Sequence, residues 1–203
     1  MKEYPSIQHE VVDQPIYAFD KLDGSNVRAE WGRKQGFYKF GRRHGLLDDS
    51  NPMLGEAEQL ILNGPAEELQ RIFVEQRWQK ATCFFEFFGP HSFAGNHEHE
   101  PHEVVLFDVS YEKKGFMEPN PFIRMFADRV KTAPLLYHGN PNQTFQDAVR
   151  NGQLEGMTFE GVVCKGKLTS PGRPLMFKVK NRAWVEAVKM KFAGQPDVLA
   201  RLL

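Results

Sequence analysis

Apolar residues along the chain gather in short runs rich in aromatic and β-branched side chains. IYAFDKL (16–22), NVRAEW (26–31), FYKFGRR (37–43), ATCFFEFFG (81–89), EVVLFDVSY (103–111), GMTFEGVVCK (156–165) and PLMFKVKN (174–181) read as strands. Between them, apolar positions three and four apart predict helices. Over residues 65–79, Pro65 suits a first turn, and Leu69, Ile72 and Phe73 share one face. Shorter helices are predicted over 121–130, 144–152 and 183–192, and turn-forming residues mark 139–143 and 167–174 as loops. Strands often follow strands directly, so the pattern predicts an α+β fold of largely antiparallel sheets with peripheral helices, not a regular βαβ alternation. No internal repeat or low-complexity tract interrupts it.

The exceptions to this pattern carry the chemistry. Glu86 interrupts CFFEFFG, Glu160 interrupts MTFEGVV, and Lys178 and Lys180 alternate along MFKVKN so that both project from one strand face. Lys21 stands between Asp20 and Asp23 at the end of an apolar run. Charges are costly to bury without partners. Two acids and three lysines are understandable if they line one cleft around an ionic ligand and a metal. A nucleoside triphosphate with Mg²⁺ fits: lysines neutralise phosphates, and Mg²⁺ takes one or two carboxylates and leaves other positions to phosphate oxygens and water. Phe107 offers an aromatic face for a base. Taken singly, each position has a plainer reading. Asp-Gly-Ser-Asn after Lys21 is also turn composition, strand acids pair with strand lysines, and most phenylalanines pack in cores.

Length and charge narrow the picture. At 203 residues the chain suits one well-packed domain. Lys plus Arg and Asp plus Glu both number 26, so any polyanion must be met by a local patch, not by an overall field. No apolar run is long enough to span a bilayer, and MKEYPSIQHE lacks the apolar core of a signal peptide, so a cytoplasmic, intracellular protein without membrane partners is expected. Cys83 and Cys164 lie far apart inside apolar runs and read as buried thiols. The tract at 91–103 holds His97, His99 and His102; without a helical pair of histidines and with Pro101 among them, it reads as a loop before it reads as a metal site.

Six stretches in order resemble the motifs of the covalent nucleotidyltransferases, the polynucleotide ligases and RNA capping enzymes: KLDGSN, FGRRHG, FFEFFGP, VVLFDV, FEGVVCK and FKVKN. Within that superfamily the chain is most similar to the RNA ligase 2 family. Asn26 stands where DNA ligases and capping enzymes usually carry arginine, and TAPLL (132–136) resembles a segment of those RNA ligases. The resemblance implies a single nucleotidyltransferase domain over 1–203, with the motifs in about 17–182. The chain departs from it in one respect: the larger RNA ligases carry a second, C-terminal domain after the last lysine motif, whereas here about twenty residues follow, read as a C-terminal helix and tail over 183–203 with no separate C-terminal domain. The resemblance further implies sheets flanking a nucleotide cleft, ATP and Mg²⁺ (or Mn²⁺) as cofactors, and RNA ends or nicked RNA duplexes as partners, with RNA capture falling either to the cleft rim or to an accessory protein in place of that domain. By the same resemblance Lys21 is the nucleophile that forms lysyl-AMP, and Asp20, Asn26, Arg43, Glu86, Phe107, Lys178 and Lys180 hold the nucleotide. Arg43 meets phosphate, Glu86 the ribose hydroxyls, Phe107 the adenine, and Lys178 and Lys180 the phosphates, while Glu160 holds the metal.

Two further readings keep the same pocket. A DNA ligase or guanylyltransferase would use the same lysine, and a nucleotide or RNA-end sensor would bind without catalysis. For the enzyme readings, a free lysine with pKa about 10.4 is neutral in about one molecule in a few thousand at pH 7, a handicap of about 4–5 kcal/mol. Metal and motif lysines are therefore expected to lower the pKa of Lys21 against the pull of Asp20 and Asp23.

Overall fold

Strands β1 (Ile16–Asp20) and β2 (Ser25–Gly32) belong to different sheets, and residues 21–24 carry the chain from one to the other. The computed structural model describes residues 1–47, 52–90, 92–95, 97–170 and 172–203. β2 lies between β3 (Gly36–Arg42) and β4 (Lys80–Phe88), and β5 (Glu103–Tyr111) and β6 (Gly115–Phe116) extend this sheet to five strands in the order β3-β2-β4-β5-β6. β1 joins β7 (Leu135–Gly139), β8 (Gly161–Ser170) and β9 (Arg173–Lys180) in a four-stranded sheet of order β7-β1-β8-β9. Every pairing between these strands is antiparallel. The α+β arrangement of antiparallel sheets is the one the sequence predicts.

Each sheet buries one face under helices. Against the larger pack α1 (Pro52–Asn63), α2 (Ala66–Glu75) and α3 (Pro119–Phe126), with Trp31, Leu69, Ile72, Phe73, Phe85 and Phe126 in the shared core. The face predicted for residues 69, 72 and 73 is the buried face of α2. Against the smaller packs α4 (Gln143–Arg150), whose Phe145 and Val149 meet Ile16, Val162 and Phe177. The Asn142 side chain caps α4 by accepting the Phe145 N–H at 2.9 Å, so the polar loop predicted at 139–143 doubles as a helix start. α5 (Arg182–Lys191) and α6 (Pro196–Leu202) follow β9. Cys83 and Cys164 are buried and unpaired; burial raises both thiols, Cys164 to about 12. Among the described residues no helix is long and apolar enough to cross a membrane.

Several elements depart from the sequence-based expectation. The pattern does not predict α1: among its described side chains Ala57 and Ile61 are the fully buried ones and Gly55 interrupts the pattern, so little periodicity shows. β7 was not predicted because this edge strand has no fully buried residue. The loop expected at 167–174 is a hairpin, with Leu168 opposite Pro174 and Ser170 opposite Arg173. Its outer positions are exposed and so lack an apolar face, while residue 171 lies outside the described residues. The strand expected from 156 begins only at Gly161, so Glu160 occupies the bend before β8 and not a strand interior. The tail after α5 forms a further helix, α6.

The crossing at 21–24 is sterically exact about its last residue. A Cβ on Gly24 would come within 2.4 Å of the Phe87 carbonyl oxygen and 2.8 Å of Phe88 Cβ. At Gly55, in contrast, an added Cβ meets nothing within 4 Å. Gly24→Ala is therefore expected to lower stability by about 1–3 kcal/mol through overpacking. Gly55→Ala should raise it by about 0.5–1 kcal/mol by helix propensity. Urea unfolding midpoints of the two variants check the pair.

Candidate active site

Both sheets contribute walls to one cavity of about 770 Å³, within the range of about 300–1,000 Å³ usual for ligand pockets. Lys21 enters it from the crossing between the sheets. Its backbone N–H donates to the Gly161 carbonyl at 2.9 Å, which sets it beside the bend that holds Glu160. Lys21 Nζ lies 2.8 Å from Glu160 Oε1, and Lys180 Nζ lies 3.2 Å from the same oxygen. Glu160 itself is 4% exposed, so its charge is compensated by these two ammonium groups and not by bulk water. Lys180 also stands 4.0 Å above the Trp184 ring. Lys178, two residues earlier on β9, lines the same cavity, as the strand alternation predicts.

The opposite wall comes from the larger sheet. Asn26 of β2 is directly opposite Glu86 of β4, which places both side chains on the sheet face that lines the cavity. The Asn26 Oδ1 is buried without a partner among the described residues, a free acceptor at the site. Phe107 of β5 closes this side, with the Tyr4 ring edge-on to it at 4.9 Å. Arg43, just beyond β3, lines the cavity and donates from Nη2 to the Ser6 hydroxyl at 3.4 Å, whereas Arg42 Nε donates to the His44 carbonyl.

The two acids flanking the nucleophile candidate are turned to other tasks. Asp20 Oδ1 accepts the Thr158 N–H at 3.1 Å and so holds the segment leading to Glu160, although Asp20 also borders the cavity. Asp23 Oδ2 accepts the Ala94 N–H at 2.6 Å and ties down the turn after β4. The second oxygen of each carboxylate has no partner among the described residues. Burial raises the pKa of both acids.

Electrostatics at Lys21 run against expectation. Burial pulls its pKa down, but Glu160, Glu86 and Asp23, with the contact from Glu160, outweigh burial and raise it. Neighbouring lysines, expected to lower it, are not what governs it. Those lysines are themselves depressed: Lys178 by burial, Lys21 and Arg43, and Lys180 by burial, Lys21 and Lys178, to about 8. Burial, Glu160 and Asp23 push the Glu86 carboxyl up to about 8 against the pull of Lys21. The cavity thus keeps a nucleophile candidate protonated, places one carboxylate between two lysines, and presents cationic groups to an anionic ligand.

A family model for RNA ligases matches residues 14–180. The chain belongs to the RNA ligase family. Solved structures of a Naegleria gruberi RNA ligase share its fold. One with pyrophosphate has a TM-score of 0.64 at 17% identity, covering 94% of this chain and 58% of that one. A variant with AMP and manganese gives 0.58 at 16% identity over 86% and 52%, and one with ATP and manganese gives 0.59 at 17% over 87% and 52%. The chain spans a little over half the length of these ligase chains. No curated protein matches it.

This RNA ligase family member uses residues that the sequence pattern alone did not single out. Lys165, 4% exposed, lines the cavity, donates to the Phe107 carbonyl at 2.6 Å and pairs with Asp108 Oδ2 at 2.9 Å, pinning β8 to β5. Tyr4 donates its hydroxyl to the same carboxylate oxygen at 3.0 Å. A signal existed: Lys165 in VVCK and Asp108 in LFDV are lone charges in apolar strands, as Glu86 is. None existed for the N-terminal segment, which enters the site because the Gln8 carbonyl accepts the Lys178 N–H at 2.8 Å, placing Ser6 and His9 in the cavity wall.

The histidine tract is a loop with its own partners, and its positions 91 and 96 lie outside the described residues. His97 is buried with Nδ1 at 2.8 Å from Glu100, and His102 Nδ1 is 2.6 Å from Glu56. Among the described residues no group of three or more His, Cys, Asp or Glu is arranged to hold a metal. A cavity carboxylate such as Glu160 suits an ion that takes one or two protein carboxylates and completes its shell with phosphate oxygens and water, as Mg²⁺ does.

A carboxyl with a raised folded pKa binds more protons folded than unfolded, so stability falls as pH rises from the unfolded value toward the folded one. For Glu86 that window runs from about 4.5 to about 8. Glu86→Gln should raise the urea midpoint relative to the native chain at pH 8 and change it little at pH 5.

Proposed function

We propose that this domain is an ATP-dependent RNA ligase that forms lysyl-AMP on Lys21, transfers AMP to an RNA 5′-phosphate, and joins that end to a 3′-hydroxyl. The observation that carries the reading is the placing of Lys21 Nζ within 2.8 Å of Glu160 in a cavity that also holds Lys178, Lys180 and Arg43. A nucleophile candidate, a carboxylate in contact with it and a cationic rim suit transfer of a nucleotidyl group. Membership of the RNA ligase family supports RNA as the end that is joined. The Naegleria ligase structures with ATP or AMP and manganese support ATP and a divalent cation as cofactors.

In the first step the Lys21 nitrogen attacks the α-phosphorus of ATP. A P–N bond forms, the P–O bond to pyrophosphate breaks, and the Lys21 ammonium loses two protons to solvent and the departing pyrophosphate, one before attack and one as the P–N bond forms. Lys178, Lys180 and Arg43 hold the departing phosphates, where fixed cations stabilise accumulating charge without reorganising. The acids around Lys21 make the resting domain a poor nucleophile. A divalent cation, Mg²⁺ or Mn²⁺, supplies when bound positive charge at the phosphates and at Glu160. Glu160 would hold it, and with Oε1 so engaged the strongest attraction that keeps Lys21 protonated would be weakened. Protonated Glu86, beside the free acceptor of Asn26, offers a donor and an acceptor to the sugar hydroxyls. The Phe107 ring offers a stacking face for adenine.

In the second step the RNA 5′-phosphate oxygen attacks the same phosphorus, breaking the P–N bond and forming a 5′-to-5′ pyrophosphate link. In the third, the 3′-hydroxyl attacks the RNA 5′-phosphorus and AMP leaves. The same cationic groups face the charge that develops on the leaving AMP.

The test is covalent labelling. With Mg²⁺ and α-labelled ATP, the native chain is expected to retain label after denaturation, and Lys21→Ala to retain none. Label from GTP alone would favour a capping-type transferase, and no label from either, in folded protein free of AMP, would favour a sensor. Phe107→Ala should raise the ATP concentration needed for half-maximal labelling by about five- to a hundredfold, the equivalent of about 1–3 kcal/mol of stacking, while leaving the adduct able to form.

A further inference from the structure

Helix α6 buries none of its residues, yet Val198, Arg201 and Leu202 stand in the wall of the cavity. The Leu202 carbonyl accepts a hydrogen bond from Lys180 Nζ, the ammonium that also meets Glu160. Backbone carbonyls at a helix C-terminus carry partial negative charge and attract cations. In this domain the last turn of α6 therefore presents to Lys180 a weak version of what a phosphate oxygen would present.

The helix is built to leave. It has seven residues and no side-chain N-cap, and an isolated helix that short is unstable in water. Its connection to α5 passes through Gly194, which has φ +82° and open space around the position of an added Cβ. A phosphate oxygen adds the Coulomb attraction of a full ion pair to the hydrogen bond with the Lys180 ammonium, which a neutral carbonyl does not. Ligand phosphates therefore outcompete Leu202 for Lys180.

We propose that α6 is a self-inhibitory plug: in the resting domain it occupies the phosphate end of the cavity through Lys180, and it is released when nucleotide phosphates bind there. This rests on reading the cavity as the nucleotide site. The plug lowers apparent nucleotide affinity by the fraction of molecules in which it is displaced.

Hydrogen exchange on the native chain tests it, with Mg²⁺ and an ATP analogue carrying a methylene between the α and β phosphorus atoms, so that no adduct forms. The expected result is faster exchange over residues 195–203 together with slower exchange over 17–26 and 174–181. Slower or unchanged exchange over 195–203 while the cavity segments slow would overturn the plug and leave the nucleotide site standing. No response in either region would overturn both. Leu199→Pro supplies a second measure, because it breaks α6 at a residue outside the cavity wall. It should tighten analogue binding about three- to tenfold, the factor for a plug in place in roughly two thirds to nine tenths of molecules. Unchanged or weaker binding by a folded variant would overturn the proposal.

Discussion

The crossing between β1 and β2 is the constraint on which the site depends. Four residues must carry the chain from one sheet to the other, and they do so under the Phe87 carbonyl, where only glycine fits at position 24. The Lys21 N–H to the Gly161 carbonyl, the Asp20 carboxylate to Thr158 and the Asp23 carboxylate to Ala94 tie β1 and this crossing to two separate segments, the bend before β8 and the turn after β4. Lys21 is thus held on a backbone fixed from several sides, which limits the freedom of an otherwise flexible side chain. A side chain placed this way needs little further ordering when a ligand arrives.

The charges around it form a balance that a ligand can tip. Glu160 shares one oxygen between Lys21 and Lys180, and Glu86 across the cavity is protonated over much of the neutral range. The acids hold the proton on Lys21, while burial and mutual repulsion make Lys178 and Lys180 ready to accept an anionic neighbour. A protonated Lys21 and two depressed lysines that suit an anionic ligand follow from the same few contacts. Beside this array, Lys165, Asp108 and Tyr4 fix the position of Phe107 and lock β8 to β5, so the cavity walls are joined by a buried ion pair as well as by apolar packing.

Much of this was legible in the chain because burial and charge leave different marks on a strand. Phe84 and Phe85 show that β4 is covered, so Glu86 among them must have a reason, and the same logic flags Lys178 and Lys180 by their alternation. Lys165 and Asp108, lone charges in apolar strands, satisfy the same logic. α1 and β7 were hidden because, among the described side chains, two fully buried residues in one and none in the other leave little periodicity. Glu160 was assigned to a strand because the apolar residues on both sides of it continue the pattern through a bend that only Gly161, with its φ of +134°, reveals.

By itself, the sequence determined the alternation that forms the sheets, the apolar faces of α2 and α4, and the set of charged side chains too costly to bury unpaired. These are local properties, set by residue type and spacing. The tertiary structure decided which charges meet, that Asp20 and Asp23 brace loops while Glu160 holds Lys21, and that the pKa of Lys21 rises instead of falling. It also brought residues 4–9 and α6 to the cavity. Such outcomes depend on distances between segments far apart in the chain, and a Coulomb or hydrogen-bond energy is a function of those distances, not of sequence spacing.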